Sequence, residues 1–336
     1  MTSSLSSPAL VLLDHHEGHL RPPVLELLTT ARTFGIPVHG IWFGDGLEGA
    51  VPALGLAGVE VVYRVGAGTQ GGVRADLRST PVAADVLAAL VAEKRPAVVL
   101  LASTFDNKEI AARVGAATGA GVVVDAGALA VQDGRLVAEK SAFAGTWLAR
   151  CAITTPLAII AVKANSVHAE DAAVATTPDV VEVAAGVSDR VSPVTLVERS
   201  ERPPSGRPEL GEAEIVIAGG RGTNGDFSVI EELADLLGAG VGATRVATDE
   251  GWIDRAAQIG QTGVTVTPRL YIGAGVSGAV HHRGGMQSAG TIVAVNSDPE
   301  APIFEIADFG IVGDLFTVLP KITAELHSLT HAEGMK

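Results

Sequence analysis

The stretch from Arg269 to Asp298, RLYIGAGVSGAVHHRGGMQSAGTIVAVNSD, gathers residue types able to hold an anion and tune its charge. An apolar run, Leu270 to Ile272, enters Gly273-Ala274-Gly275-Val276-Ser277-Gly278 and is followed by Ala279, Val280, His281, His282 and Arg283. A second apolar run, Ile292 to Val295, ends on Asn296, Ser297 and Asp298. This order predicts strand, glycine-rich turn, short helix, strand. Glycines at such a turn let backbone N–H groups approach an anion, and the helix N-terminus adds partial positive charge. Gly273, Gly275 and Gly278 satisfy GxGxxG, and Asp298 lies about 20 residues on, where a ribose-binding acid sits in a dinucleotide fold. An NAD-dependent oxidoreductase is therefore one reading. Against it, the stretch lies in the last third of a chain with 40 glycines. Gly284 and Gly285 also cost a helix about 1 kcal/mol each.

Three further segments bear on the same chemistry. The run Glu214 to Ala218 predicts a strand that ends in Gly219-Gly220-Arg221-Gly222. Val241 to Arg245 brings Thr244 and Arg245, and Gln258-Ile259-Gly260-Gln261-Thr262-Gly263 follows. Strand ends that face the same way in a doubly wound sheet line the ligand crevice. Two arginines, one or two histidines and several amides and hydroxyls meeting there suit a large anionic cofactor with a polar ring system.

The elements that must position these groups are α/β in type. Ala9–Leu13, Val38–Phe43, Val59–Val65, Ala97–Ala102, Val122–Val124 and Leu157–Val162 read as strands, with helices over Val24–Arg32 and Val82–Leu90. Asp106 and Glu109 have capping-box spacing, which predicts a helix start there. Ile230, Leu233, Ala234 and Leu237 make one apolar helix face, and Leu315, Val318, Leu319, Ile322 and Leu326 another. Alternation of strands and helices predicts two doubly wound, mostly parallel sheets. The composition shift at ERSERPPSGRPELGEAE predicts a solvated linker. The expected division is an N-terminal scaffold domain at 1–197, a linker at 198–213 and a ligand-binding domain at 214–330.

Composition narrows the class. The 336 residues are 47% hydrophobic and 18% charged, enough for a substantial core, and aromatics are only 4%. A net charge of −14 with no Lys/Arg cluster argues against nucleic-acid binding. The single cysteine, Cys151, excludes an intrachain disulfide. Asp14-His15-His16-Glu17-Gly18-His19 has metal-ligand types but no second cluster, so a solvated loop is expected. The apolar runs are strand-length and the first residues lack a leader pattern, so a cytoplasmic protein without membrane insertion is expected. No GxSxG, HExxH or P-loop pattern points to a nucleophile or general base.

Taken together, GGRG (Gly219–Gly222), VGATR (Val241–Arg245), QIGQTG (Gln258–Gly263), LYIGAGVSGAVHH (Leu270–His282) and TIVAVNSDPEAPIFEIADFGIVGDLF (Thr291–Phe316) resemble the alpha subunit of electron-transfer flavoprotein. The match is unbroken over the second half of the chain and looser over the first. The resemblance implies an FAD-binding Rossmann-like C-terminal domain, a beta-subunit partner in a heterodimer, and an electron carrier without a substrate-turnover site. It further implies electrons taken from acyl-CoA dehydrogenases and related flavin dehydrogenases, as in fatty acid beta-oxidation, and passed to a membrane quinone oxidoreductase. An electron-bifurcating member of the family is the alternative within it.

By the family's pattern, Arg221 and Ser277 lie near the diphosphate and adenosine end, and Gly275, Val276, Gly278, Ala279, Val280 and His281 are further cofactor-binding positions. Ile259 to Thr262, preceded by Gln258, wrap the flavin, with the Thr262 hydroxyl near N5. Arg245 lies over the ring system, Thr244 beside it is a further cofactor-binding position, and His282 lies near the pyrimidine carbonyl O2. Asn296, Asp314 and Leu315 reach the adenine-nucleotide half. Cations at Arg245 and His282 are expected to stabilise an anionic semiquinone. At ~4 Å and an effective dielectric near 20, one charge contributes up to about 4 kcal/mol. Discounted for solvent, that is something like 100 mV at ~59 mV per 1.4 kcal/mol. Three positions depart from the pattern: His281 stands in place of the usual Gln, Thr244 in place of Ser, and Val264 where Lys is common.

Overall fold

The computed structural model describes residues 5–66, 69–70, 73–74, 79–143, 145–184, 188, 191, 198 and 206–333. Cα packing divides the chain into two compact units, one of residues 1–140 and 148–201, the other of residues 141–147 and 202–336.

The first unit contains β1 (Ala9–Leu12), α1 (Pro22–Arg32), β2 (Val38–Phe43), α2 (Leu47–Leu56), β3 (Val61–Val65), α3 (Thr80–Lys94), β4 (Val98–Ala102), α4 (Phe105–Thr118) and β5 (Gly121–Ala126). The strands β6 (Ala128–Gln132), antiparallel to β7 (Arg135–Ala142), and β8 (Trp147–Ala152) follow, residues 141–147 of β7, β8 and their connection counting with the second unit, then β9 (Ala158–Val162) and β10 (Asp179–Val183). Seven of these strands form a sheet in the order β10-β3-β2-β1-β4-β9-β5. Every pairing in it is parallel. Strands buried on both faces read as continuous apolar runs, and β1, β4 and β9 are buried at every position. Side chains alternate in β1: Ala9 and Val11 enter one core layer, Leu10 and Leu12 the other.

Three details differ from the sequence reading. The α4 helix starts two residues before the expected point, because the Thr104 hydroxyl accepts from the Asn107 N–H and serves as the cap. Glu109, which a capping box would turn back to the helix start, instead bonds Thr80 and Arg113. The sheet β6-β7-β8 was not anticipated, although Asp133 and Gly134 between β6 and β7 form an Asp-Gly hairpin turn with both φ positive. Asp14 to Leu20 closes into a small antiparallel pair, His15–His16 with His19–Leu20. There the His15 ring stacks on Trp42 at 3.7 Å and its Nε2 bonds the Phe43 carbonyl.

The second unit contains β11 (Ile215–Gly219), α5 (Ser228–Leu237), β12 (Gly240–Ala243), α6 (Arg245–Asp249), β13 (Leu270–Ala274), α7 (Val280–Met286), β14 (Thr291–Asn296), β15 (Phe309–Val312) and α8 (Leu315–Glu333). Its sheet is parallel throughout, in the order β12-β11-β13-β14-β15. The chain begins at β11 and winds first to one side and then the other, so the topological switch point lies between β11 and β13. Alternation along β11 and β13 sends Ile217 and Ile272 to the layer of α5 and α8, and Val216, Ala218 and Tyr271 to the opposite layer with Ile259, Val276 and Met286. Burying each such aliphatic side chain contributes about 1.5–3 kcal/mol. Residues 199–205 of the expected linker lie outside the described residues. Its second half is not a solvated tether: Arg207 bonds Asp235, while Leu210 and Ala213 pack into the core of this unit. No helix among the described residues is long and apolar enough to cross a membrane.

Candidate functional site

The registers of the second sheet align the carboxyl ends of its strands: Gly219 with Ala243 and Ala274, Ala274 with Val295, and Asn296 with Val312. Each strand therefore delivers its following residues to one edge. Arg221 comes from β11, Thr244 and Arg245 from β12, Gly275 to His282 from β13, Asn296 from the end of β14, and Asp314 and Leu315 from β15. The segment Gln258–Thr262 joins this edge through two anchors. The Ile259 N–H donates to the Ala243 carbonyl at 2.9 Å, and the Gln261 N–H to the His281 carbonyl at 3.0 Å.

Glycine is required where these loops meet. The Gly220 N–H donates to the Ala274 carbonyl and the Gly222 N–H to the Gly275 carbonyl, both at 3.1 Å. A Cβ on Gly220 would lie 2.3 Å from the Gly275 oxygen, so any side chain there pushes the two loops apart. Gly275 has φ +63° and Gly278 φ +83°, a region that L side chains avoid. Gly273, the first glycine of the GxGxxG pattern, lies inside β13 rather than in the turn. Asp298 spends its carboxylate on the Glu300 N–H. The glycines of the pattern are thus divided between β13 and the turn, and one carboxylate oxygen of Asp298 is engaged locally.

The polar groups fall into two sets. Some are used up within the chain: Asn296 donates from Nδ2 to the Val276 carbonyl and accepts from the Asp298 N–H, and Asp314 accepts from the Phe316 N–H at the start of α8. Leu315 is buried in the α5/α8 layer. Others remain available to a ligand. The buried Thr244 Oγ1 has no hydrogen-bond partner, although its backbone N–H is held by the Gly219 carbonyl at 2.9 Å. Arg221 is exposed and pairs with no acid among the described residues. Arg245, 63% exposed, makes an i,i+4 pair with Asp249 at 3.1 Å, a contact worth about 0.3–0.5 kcal/mol. Ser277 and Ala279 lie exposed on the turn leading into α7, Val280 is exposed at its first position, and Val276 is buried beneath the turn.

Gln258 and Thr262 act as a pair. Gln258 is 1% exposed, and its Nε2 donates to the Thr262 hydroxyl at 2.9 Å while its Oε1 accepts from Thr248 at 3.2 Å. Thr262 accepts in this bond, which leaves its own O–H proton to be given outward.

The two histidines behave differently. His281 is exposed and its Nδ1 lies 2.9 Å from Gln261 Oε1, so it ties α7 to the Gln258–Gly263 loop. His282 is buried, with Nε2 2.7 Å from the Tyr271 hydroxyl and Nδ1 3.1 Å from the Ile259 carbonyl. Burial pushes its pKa down to about 4, against a smaller opposing pull from the Ile259 carbonyl. His282 was expected to act as a cation. The folded chain keeps it neutral at pH 7, because desolvation disfavours the imidazolium and no carboxylate offsets that cost. Tyr271, absent from the sequence-derived set, is fully buried and its phenol is raised well above its usual range by burial. Its only sequence signal was an aromatic residue two positions before the glycine turn.

These residues fit a flavin dinucleotide. They supply an orphaned buried hydroxyl at Thr244, a backbone cradle at Gly220, Gly222 and Gly275 that a Cβ would fill, an exposed cation at Arg221 that pairs with no acid among the described residues, and a donor aimed outward at Thr262.

Comparison with known proteins agrees with this geometry. The family model described as the electron transfer flavoprotein domain matches residues 9–188, and that of the electron transfer flavoprotein FAD-binding domain matches residues 209–287. The electron transfer flavoprotein subunit alpha of Mycobacterium leprae is 44% identical over 318 residues, covering 94% of this chain and 96% of that protein. The subunit alpha of Bacillus subtilis is 32% identical over 329 residues, covering 97% and 99%. Protein FixB of Clostridium saccharobutylicum is 32% identical over 340 residues, covering 96% and 97%. The chain therefore belongs to the electron transfer flavoprotein alpha-subunit family and carries that family's FAD-binding domain.

Proposed function

We propose that the carboxyl edge of the five-stranded sheet holds FAD, that a beta subunit completes the protein, and that the heterodimer carries electrons from acyl-CoA and related flavin dehydrogenases to a membrane quinone oxidoreductase. The observation that carries the site is the Thr244 hydroxyl, buried without a partner on the same edge as Arg221 and Arg245. A buried polar atom costs about 1–3 kcal/mol unless bonded, so a ligand atom belongs there.

Bound FAD supplies the electron-carrying chemistry, and the chain's residues position and polarise it. Arg221, with the Gly275–Gly278 turn, Ser277, Ala279 and Val280, takes the diphosphate end. Arg245 lies over the ring and favours added negative charge. Gln258 holds the Thr262 hydroxyl so that its proton is offered to the ring edge. Ile259, Gly260 and Gln261 form the wall against the flavin, with His281 bracing Gln261. His282 serves as a neutral support behind that wall and not as a cation. Asn296, Asp314 and Leu315 shape the adenine-nucleotide side through the Val276 carbonyl and the start of α8. The chemistry asks for no general base or nucleophile, so the protein acts as a carrier.

The first unit has the role of a scaffold and beta-subunit contact in this reading. Its own switch point, between β1 and β4, is spanned by side chains: Asn107 Nδ2 donates to Asp14 Oδ2 at 2.6 Å. The test is an absorption spectrum and flavin count of the chain co-purified with its beta subunit. One FAD per heterodimer supports the proposal. A colourless complex that binds NADH overturns it, and a second FAD per heterodimer favours the bifurcating alternative.

A further inference from the structure

Between the sheet and the flavin-wrapping segment runs a buried chain of three polar groups. Tyr271 projects from β13 into the layer that also holds Ile259 and Met286. Its hydroxyl lies 2.7 Å from His282 Nε2, the rings tilted at 57°, and His282 Nδ1 lies 3.1 Å from the Ile259 carbonyl oxygen. A carbonyl oxygen can only accept, so Nδ1 carries the proton. In a neutral ring Nε2 is then the acceptor and the phenol must donate to it.

The segment this chain reaches is held closely against α7. A Cβ on Gly285 would lie 2.4 Å from the Gly260 nitrogen, and the Val266 N–H donates to the Gly285 carbonyl at 2.8 Å. Gly260 itself has φ +152°, and the bond to His282 fixes the carbonyl that precedes it. Ile259 follows Gln258, whose side chain holds the Thr262 hydroxyl.

We propose that Tyr271 is the positioning residue of the cofactor loop: its phenol, donating to Nε2, holds the His282 ring so that Nδ1–H meets the Ile259 carbonyl, and that ring in turn sets the carbonyl and the backbone of Gln258–Gly263 against the flavin. The proposal rests on the reading of that segment as the flavin wall. It extends it to a residue that touches no cofactor. The groups around His282 leave its protonation to this chain of bonds. Tyr271 is bonded to it from the strand and Ile259 from the loop, while its helix neighbours His281 and Arg283 engage Gln261 and Glu305. Loss of the phenol strips Nε2 of its donor, so the ring is free to turn away from the Ile259 carbonyl, and once turned it exchanges tautomers and takes up a proton more readily.

The experiment uses the heterodimer with 15N-labelled histidine. In the wild type, His282 shows the nitrogen shifts of a neutral Nδ1–H ring between about pH 5.5 and pH 8. In Tyr271→Phe the same resonances report mixed tautomers or protonation within that range. The flavin reduction potential then gains a pH-dependent step that the wild type lacks and that Tyr271→Phe/His282→Gln loses again. An Nε2–H ring in the wild type overturns the proposal even if the variant does not fold. So does a Tyr271→Phe protein with the wild-type tautomer and potential profile, whatever its melting temperature. A flavin-free heterodimer refutes the functional reading, while the tautomer measurement still decides the role of Tyr271.

Discussion

The side-chain amide of Gln258 donates to the hydroxyl of Thr262 at 2.9 Å, and Gln258 is itself all but inaccessible to solvent. A buried amide thus fixes the direction of an exposed hydroxyl, because an oxygen that accepts from within the fold must donate elsewhere. In Thr262→Val that donor is gone. One hydrogen bond of about 1 kcal/mol corresponds to ~40 mV for a one-electron couple. Spectroelectrochemistry of the heterodimer should show the first flavin potential lowered by about that amount, with Gln258→Leu shifting it the same way by less. An unchanged potential in Thr262→Val removes the hydroxyl from the redox site.

Gly220 tests the cradle. The Cβ introduced by Gly220→Ala would meet the Gly275 oxygen at 2.3 Å and the Val276 Cα at 2.7 Å, and backbone atoms cannot step aside as a flexible side chain does. The expected cost is about 1–3 kcal/mol of stability together with loss of most bound flavin. Gly238→Ala is the comparison: it strains a left-handed position, φ +62°, but meets nothing within 4 Å and should keep its flavin. Equal flavin retention in the two variants would count against the cradle.

His282 makes stability depend on pH with a definite sign. Its folded pKa, about 4, lies below the ordinary 6.5, so below pH 6.5 the unfolded chain binds a proton that the folded chain refuses. The stabilisation is complete above about pH 6.5, falls away as the pH drops towards 4, and amounts to something on the order of 3 kcal/mol. Thermal melts of the wild type and His282→Gln across that window should converge as the pH falls. Parallel curves would mean that the ring is charged or solvent-accessible in the folded protein.

Much of the fold was legible along the chain because local periodicity carries it. Val38–Phe43 came out as a strand to the residue, and the apolar face of Ile230, Leu233, Ala234 and Leu237 as the buried side of α5. The Asp133-Gly134 turn carried its signal too, but of the flanking strands β6 is largely exposed and β7 buries three consecutive residues, Leu136 to Ala138, so neither shows a clear alternation. The α4 cap went to Thr104 rather than Asp106, since two candidate caps stand two residues apart and only the chain leaving β4 decides between them.

By itself the sequence determined which groups gather at one edge of a parallel sheet: strands that run the same way must release their loops on the same side. It also determined the family, through motifs that lie in those loops. Only the tertiary structure decided the charge of His282 and the part played by Tyr271. Proton affinity depends on how far a group is removed from water and on what faces it, and residues 259, 271 and 282 face one another only after the sheet, the loop and α7 have packed.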